Sequence, residues 1–499
     1  MFFTDLHPDV LLSIFTCCSI RATLRLAQTC KLLRDLAGEK TLWLSLLGDL
    51  ERRAILPSGT LRNHNESSTE ELKAIAKRFT RRLPSWRGTS TPPDSVWMHK
   101  TLHENQARPV LAAKFVPGAA LVLVQTAGQR ESLECHPIDG SAMVWSRAID
   151  AQRRLHDFAA CVGDNGESVV VFSVSVGSDQ ASQSFFMEVH RCGLKTGSEV
   201  ELFALQADNL GQINAPQISG NLCAAVRGSG NVASGGERWL LLNYIAGRGV
   251  TLRSKTRFYV QLVPGYVLAL IVGTDADELR VFSTSTISTY LAEPNRNPQG
   301  AEEYFQPIEL AEIPPDAVYT LHRDGAAGNE ENDSKYVLSA FSHPFDMGTF
   351  RVWVYTSNTN RSAPPQLHQL DIRLDGAKPE LVSQRWTSTL GRYAATPTSF
   401  AGYAISSTDI LLGGRPSRTA FLLALPAYER DKLLLQPPRY TFTTFDGVVW
   451  AVLLAPDKYL DNEVLSPMYG TTLEVELAVY DSGVWLFHDG KKVEVVFLD

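Results

Sequence analysis

Cysteine is scarce in this chain, and it is absent from the second half. The 499 residues include seven cysteines, at positions 17, 18, 30, 135, 161, 192 and 223. An odd number of scattered cysteines is not the framework of a disulfide-stabilised secreted domain. We therefore expect free thiols in a reducing compartment, where cysteine serves as a small apolar residue.

A surplus of positive charge and long apolar runs are also missing. The chain has 47 Lys and Arg against 54 Asp and Glu, a net charge of −7. Nucleic acids and anionic membranes attract concentrated basic surfaces, so we expect neither as a partner. No apolar run approaches the ~20 residues of a membrane helix. The N-terminus lacks the basic-then-apolar pattern of a secretory signal. These absences favour a soluble protein of the cytoplasm or nucleus.

Local motifs of enzymes are absent as well. The sequence has no Gly-x-Ser-x-Gly elbow and no phosphate-binding loop. His99 and His103 have the spacing of a zinc pair, but no Glu follows His99 and no helix is indicated. Cys135 and His136 would point to opposite faces of a strand. We expect no catalytic residue, metal site or cofactor, although an enzyme site assembled from distant segments would leave no local pattern.

Three or four short helices are predicted in residues 1–53. Pro8 suits a first helical position, and Asp9 complements the positive end of a helix dipole. Leu11, Ile14 and Phe15 follow with the spacing of an apolar helix face. A unit of roughly fifty residues is at the lower limit for independent folding. Its apolar side chains exceed what it can bury, so some should pack against the rest of the chain or another protein.

This region resembles an F-box. The blocks "LHPDVLLSIF", "LRLAQTCKLLRDLA" and "LWLSLL" follow one another as in the large F-box family of basidiomycetes, the mushroom-forming fungi. The resemblance implies a Skp-family adaptor as partner, and through it a cullin-RING ubiquitin ligase. The alternative is a helical hairpin that docks on the chain's own C-terminal body. The residues expected to contact the adaptor are Leu6, Pro8, Leu11, Ile14, Phe15, Leu24 and Trp43.

Residues 54–95 are predicted to be a linker that contains one amphipathic helix, at about 69–83. Ser68 and Glu71 have the spacing of a capping box, and Pro84 would end the helix. This helix is an alternative neighbour for Trp43, which would then anchor the F-box to the linker.

Residues 96–499 are predicted to be a β-domain. From about residue 110 the apolar pattern changes to short strands separated by turns such as Pro117-Gly118 and Asp139-Gly140. The pattern recurs every ~40–60 residues, which is typical of a β-propeller. We therefore predict a multidomain protein, with a small all-α F-box followed by an all-β propeller-like domain of six or seven degenerate blades. Seven is favoured, and a pair of β-sandwiches is the alternative.

Together these patterns predict a non-catalytic substrate receptor of an SCF-type ubiquitin ligase. The propeller would bind a target protein, whose identity the sequence does not indicate. The polar insertions 293–303, 325–334 and 356–365 are either disordered segments, which the sequence favours, or recognition loops. A non-proteolytic F-box scaffold and an enzyme with a site in the propeller channel are the alternatives. We also expect the strand 493–497 to complete the first or last blade, so that no sheet edge stays exposed.

Overall fold

The structure is a computed structural model of the 499-residue chain. No helix in the part that it describes has the length and apolar character needed to cross a membrane. The described part is residues 6–498 without 17, 19, 53–66, 82–95, 106, 118, 139, 164–165, 178–183, 209–211, 229–237, 274–275, 292–304, 323–333, 343–347, 359–365, 375–377, 388–401, 406–409, 414–419, 427–439, 446–447, 455–473, 479–480 and 489–491. The polar insertions 293–303 and 325–334, apart from Ser334, and residues 359–365 of the third lie outside it.

Five helices form an N-terminal unit. They are α1 (Pro8–Thr16), α2 (Ile20–Leu26), α3 (Lys31–Leu36), α4 (Lys40–Arg52) and α5 (Thr69–Arg81). One apolar core joins them, and it contains Leu72 and Ala76 of α5 together with residues of the first four helices. Helix α5 therefore belongs to the same packed unit, although the sequence placed it in a linker.

Strands β1–β9 open the β-domain. β1 (Val96–Glu104) precedes two four-stranded antiparallel sheets, which we call blades 1 and 2. Blade 1 consists of β2 (Val110–Phe115), β3 (Leu121–Thr126), β4 (Ser132–Pro137) and β5 (Trp145–Ala148). Blade 2 consists of β6 (Arg153–Val162), β7 (Ser168–Gly177), β8 (Ser184–Gly193) and β9 (Glu199–Asp208).

Blades 3 and 4 are joined by an exchanged strand. Blade 3 contains β10 (Gln212–Ser219), β11 (Leu222–Gly228), β12 (Arg238–Asn243) and β13 (Arg248–Arg253). Blade 4 contains β14 (Phe258–Val263), β15 (Tyr266–Ile271) and β16 (Ala276–Ser283), after which come α6 (Thr284–Ser288), β17 (Phe305–Glu309) and β18 (Ala317–His322). β17 returns to blade 3 and pairs in parallel with β13, whereas β18 completes blade 4 beside β16.

The remaining strands form blades 5, 6 and 7. Blade 5 consists of β19 (Ser334–Ser342), β20 (Thr349–Asn358), β21 (Gln366–Arg373) and β22 (Glu380–Thr387). Blade 6 consists of β23 (Gly402–Ile405), β24 (Ile410–Gly413), β25 (Ala420–Pro426), β26 (Tyr440–Phe445) and β27 (Val448–Leu454). Blade 7 combines β1 with β28 (Glu474–Ala478), β29 (Asp481–His488) and β30 (Lys492–Leu498).

Blades 2 and 4 each share their apolar side chains between two neighbouring blades. On β7, Val169 and Val171 pack toward blade 1, whereas Val170 and Phe172 pack toward blade 3. On β15 the same alternation directs Val267 to blade 3 and Leu268 to blade 5. Because successive strand residues point to opposite faces, a sheet buried on both sides has a continuous apolar run. The uninterrupted runs in the sequence have this origin.

Blade 7 closes the domain by joining distant parts of the chain. Its strand order is β1-β30-β29-β28, so β30 lies between β1 and β29. Val493 of β30 packs on the core of blade 1, and β23 of blade 6 contacts β28. The expectation that the strand at 493–497 completes a blade is confirmed.

The predicted fold class is confirmed: an N-terminal all-α unit precedes an all-β propeller-like domain. The described strands form seven sheets, the larger of the two expected numbers. They do not form two packed sandwiches. Within residues 96–498, the described part contains α6 and a single 3₁₀ turn, Leu310–Glu312, as its helical elements.

Candidate functional site

Helix α1 has two apolar faces that lie in different surroundings. Leu11 and Phe15, four residues apart, are fully buried in the core of the helical unit. Val10 and Ile14, also four residues apart, lie on the adjoining face, where Val10 is 47% exposed and Ile14 is partly exposed. Residues at this spacing are neighbours on a helix surface. Helix α1 therefore contributes one row of apolar side chains to the core of the helical unit and presents a second row at the surface.

Three of the seven residues expected to contact an adaptor lie in the interior. Leu11 and Phe15 have no exposed surface, and Trp43 is 1% exposed. The Trp43 Nε1–H donates a hydrogen bond to the carbonyl oxygen of Ala37 at 2.8 Å, which ties α4 to the end of α3. In this chain the three side chains hold the helices together, and their contact with an adaptor stays a prediction.

The other four expected contact residues are accessible. Pro8 is exposed, Leu6 and Leu24 are partly buried against the helical core, and Ile14 is partly exposed. Two further apolar side chains that were not among the expected residues are also exposed, Val10 and Leu32, the latter at 38%. The candidate adaptor-binding surface is therefore the set Leu6, Pro8, Val10, Ile14, Leu24 and Leu32.

Helix α5 packs on the same core as the helices that carry this surface. Its Leu72 and Ala76 share the buried core with Trp43, so the alternative neighbour expected for Trp43 is confirmed. The capping box is confirmed as well: the Ser68 N–H donates to Glu71 Oε2 at 2.7 Å, and the Glu71 N–H donates to Ser68 Oγ at 3.3 Å. These two bonds satisfy backbone donors that the helix start leaves unpaired.

In the β-domain, charged side chains converge on a carboxylate buried in blade 1. Glu134, on β4, is 3% exposed. Its Oε2 lies 3.0 Å from His136 Nε2 and 3.5 Å from His103 Nδ1. Its Oε1 lies 2.6 Å from Arg108 Nη2, and Ser132 also contacts it. We call His103, Arg108, Glu134 and His136 the blade 1 cluster.

The pKa directions in the blade 1 cluster follow from these contacts. Burial by itself raises the pKa of Glu134, but hydrogen bonding to His103 and His136 and the charge of Arg108 hold it well below its usual value. The pKa of His103 is raised, chiefly because its imidazole is hydrogen-bonded to the Glu134 carboxylate. The carboxylate is therefore ionised, and it attracts positive charge to His103.

A second charged cluster lies in blade 2. Glu188, on β8, accepts hydrogen bonds from Arg147 at 2.7 Å and Arg153 at 2.8 Å, one on each oxygen. His190 lies 3.8 Å from Glu188 and 2.8 Å from Glu199. The pKa of Glu188 is lowered to about 2, because His190 and then Arg147 stabilise the carboxylate against the opposing effect of burial.

The two clusters repeat a pattern along the third strand of their blades. Glu134 and His136 are separated by one residue on β4, as Glu188 and His190 are on β8. Alternate strand residues share a face, so each Glu lies beside its His. The intervening and neighbouring thiols do not take part: Cys135 and Cys192 are buried among apolar side chains, and burial raises the pKa of Cys135 to about 12.

Sequence reasoning missed both clusters. It tested His103 as a partner of His99 at helical spacing, but both residues lie on strand β1. The partners of His103 are instead Glu134 and His136, which are more than thirty residues away and belong to another sheet. The period-two Glu-x-His spacing was the available signal, because it places two polar side chains on one face of an otherwise apolar strand.

Comparison with solved structures found distant likenesses. Among solved structures, the WD40 domain of SCAP from fission yeast is 9% identical, with 78% of this chain and 82% of that chain covered and a TM-score of 0.38. The Dos1 propeller is 9% identical, with 82% and 96% covered and a TM-score of 0.33. A prolyl endopeptidase structure is 9% identical with a TM-score of 0.38, and the match spans about half of its length, 52%, and 86% of this chain.

These structural likenesses are too distant to indicate a function, and no curated protein matches the sequence. The helical unit, in contrast, matches a known family directly. Residues 3–45 match the F-box domain, a range that begins just before α1 and ends within α4. The N-terminal helices of this chain are therefore an F-box domain.

Proposed function

We propose that this chain is the substrate-recognition subunit of an SCF-type cullin-RING ubiquitin ligase. The F-box binds a Skp-family adaptor, and the propeller-like domain binds a target protein. The observation that carries the proposal is the F-box at residues 3–45 with accessible apolar side chains on α1. In this role the chain contributes no reacting group of its own. It supplies proximity between the target and the transfer enzyme, in the cytoplasm or nucleus.

Burial of the outward face of α1 provides the driving force for the adaptor contact. Each apolar side chain that goes from full exposure to full burial contributes roughly 1.5–3 kcal/mol. Leu6 and Ile14 are already partly buried, so their share is smaller. Several such side chains together are needed for a stable complex, because association also costs translational and rotational freedom.

The adaptor contact can be tested by co-purification of the full chain with a Skp-family adaptor. Changing Leu6, Pro8 and Ile14 together to Ala should abolish co-purification and leave the melting temperature of the F-box nearly unchanged. Ser13→Ala is the matched control, because Ser13 is exposed on the same helix and its hydroxyl donates to the Asp9 carbonyl of that helix. Undiminished binding by the triple variant would refute the assigned face.

A non-proteolytic scaffold is the alternative, and a second measurement separates the two. Proteins captured by the full chain while ligase activity is blocked should have longer half-lives in cells that carry the triple Ala variant. Unchanged half-lives, with adaptor binding intact in the parent chain, would favour the scaffold.

A further inference from the structure

Three possible metal ligands point to one place between blades 7 and 1. The carboxylate of Glu134 presents Oε2 to His136 Nε2 at 3.0 Å and to His103 Nδ1 at 3.5 Å. All three ligand atoms lie within 4.8 Å of one another, and the three residues are buried. Two neutral imidazoles and one carboxylate are a ligand set found in zinc sites.

The hydrogen bond on the far side of His103 fixes which nitrogen faces the cluster. His103 Nε2 lies 3.0 Å from the carbonyl oxygen of Arg108, and a carbonyl accepts hydrogen bonds, so Nε2 carries a hydrogen. In the neutral imidazole, Nδ1 then presents a lone pair to the Glu134 oxygen. A contact between two acceptors is repulsive unless a cation or a proton lies between them. In metal sites, the histidine ring nitrogen that does not bind the metal commonly donates its hydrogen to an acceptor such as a backbone carbonyl.

The two distances from Glu134 to the histidines are close to those of tetrahedral coordination. Zinc binds nitrogen and carboxylate oxygen at roughly 2.0–2.2 Å, so neighbouring ligand atoms of a tetrahedron are roughly 3.3–3.5 Å apart. The observed 3.5 Å lies at the upper end of this range, and the observed 3.0 Å is a few tenths of an ångström below it. A shift of that size in the His136 ring would bring its contact with Glu134 to the expected separation.

The surroundings of Glu134 hold its carboxylate in place for this role. Arg108 and Ser132 occupy the other oxygen, Oε1, and Arg108 also donates to Thr126. Hydrogen bonds of this kind orient ligating carboxylates in metal proteins. The Arg108 side chain binds the other oxygen, Oε1, and so leaves Oε2 to the two imidazoles.

The backbone of β1 has a β-bulge next to His103. The pairing of β1 with β30 shifts register between Thr101 and His103, which leaves Leu102 as an extra residue on β1. Such a bulge re-aims the side chains beside it. Here the residue that follows the bulge is His103, whose side chain leaves its own sheet to reach Glu134 of blade 1.

We propose that His103, Glu134 and His136 bind a zinc ion, with water as the fourth ligand. Hard cations such as magnesium and calcium prefer oxygen ligands, so a site with two imidazoles favours zinc. The ion would take the place of the proton that otherwise lies between His103 Nδ1 and the Glu134 carboxylate. It would join β1 of blade 7 to β4 of blade 1, and would therefore stabilise the junction at which the ring of blades closes.

Metal analysis of the full chain tests this site. The protein is stripped with EDTA, dialysed against zinc chloride, desalted and analysed by mass spectrometry for metals. We expect about one zinc per chain and a rise in the melting temperature of the β-domain, because a ligand that binds only the folded state stabilises it. X-ray absorption of the bound zinc should show nitrogen and oxygen neighbours without sulfur, which distinguishes the site from the free cysteines.

Matched variants locate the ion. His136→Gln should reduce bound zinc to background and remove the zinc-dependent rise in melting temperature. His156→Gln should retain both, because His156 is exposed and bonds to Asn214. His190→Gln, in the blade 2 cluster, should also retain the zinc.

Two outcomes would overturn the proposal. The first is a parent chain that retains no more zinc than His136→Gln, in which case a proton alone satisfies His103. The second is loss of zinc in His190→Gln but not in His136→Gln. If His136→Gln does not fold, cobalt is added to the parent chain and to His190→Gln. The intense visible absorption of tetrahedral cobalt should then appear in both and vanish on addition of zinc, and its absence from either protein would overturn the proposal.

Discussion

Glu188 illustrates, at the scale of a residue, why the charges buried in the blades are paired. Its side chain is 12% exposed, and the two guanidinium groups that bind it are 20% and 27% exposed. Replacing a whole set of paired buried charges by well-packed apolar residues can leave the stability of a fold unchanged. Removing one partner alone leaves an uncompensated buried charge. The carboxylate and the two arginines therefore stabilise the fold only as a set.

Glu188 should make the stability of the β-domain depend on pH. Its pKa is lowered from 4.5 to about 2, so its contribution is present above pH ~4.5 and is lost as the pH falls toward 2. Glu188→Gln should cost about 3 kcal/mol near neutral pH, and the difference from the parent chain should shrink between pH ~5 and ~2. Urea unfolding of the β-domain at a series of pH values measures this difference.

A surface carboxylate provides the comparison for this prediction. Glu167, on the same blade, pairs with Lys195 at 2.7 Å, but both side chains are about half exposed or more, at 47% and 64%. Glu167→Gln should therefore change stability by less than about 1 kcal/mol. A Glu188→Gln difference that stays constant down to pH 2 would contradict the prediction.

Residue-level prediction from sequence succeeded where spacing is local. Ser68 and Glu71 are three residues apart, and their capping bonds follow from that spacing alone. The contacts of His103 could not be predicted, because the geometry that brings β1 beside β4 depends on how blades 7 and 1 pack. The assembled fold, and not the neighbouring sequence, determines which side chains pair with a buried charge.

At the scale of an element, α1 explains why the expected adaptor contacts were only partly accessible. Val10, Leu11, Ile14 and Phe15 occupy two adjoining rows of the helix. Helical periodicity predicts that these four lie on one side, but it does not indicate which row faces the core. The neighbours Leu36 and Trp43 decide this, since they close over Leu11 and Phe15 within one cluster.

The start of α5 gives a prediction at this scale. Ser68→Ala removes the side-chain oxygen that accepts from the Glu71 N–H, and should destabilise the helical unit by about 1 kcal/mol. Thermal unfolding followed by far-UV circular dichroism measures the change, with Ser13→Ala as the control at an exposed position. An unchanged transition would show that α5 contributes no stability to the F-box.

Antiparallel strands were easier to anticipate than the exchanged strand. Hairpins such as β14–β15 are marked by a local turn, here Pro264-Gly265, in which Gly265 has a φ of 79°. β17 carries no such mark, because it pairs in parallel with β13, some fifty residues earlier in the chain. Parallel strand pairs need long connections, and such connections have no characteristic turn motif in the sequence.

At the scale of the whole molecule, closure of the ring of blades depends on one strand. β30 pairs with β1 on one side and β29 on the other. Without β30, β1 would lose its partner and two sheet edges would be exposed to solvent, where they favour aggregation. The F-box has a separate core, so it should keep its own helices in such a molecule.

Deleting residues 492–499 should therefore abolish soluble expression of the β-domain. The control is a chain that lacks only residue 499, which should be expressed as well as the parent. Soluble yield and the melting temperature are the measurements. A soluble truncated chain with an unchanged melting temperature would show that the β1–β30 pairing does not stabilise the domain.

The overall architecture was predictable because it rests on repetition. Recurring turns and apolar strands indicated blades, and the change from helical to strand periodicity indicated two kinds of domain. The position of α5 was not predictable in the same way. Its apolar face fits a linker helix equally well, and the packing of Leu72 and Ala76 on the F-box core decides the matter.

The pairing of β1 with β30 also means that β1 must wait for its partner strand while the chain is being synthesised. The two strands are separated by about 390 residues, and ribosomes add roughly 5–20 residues per second. For about 20–80 s, β1 has been made and its partner has not. The described core of the F-box is made of residues of α1–α5, all of which precede β1 in the chain, so it can fold during this interval. A nascent chain would thus carry a folded F-box while its β-domain still needs protection from other chains.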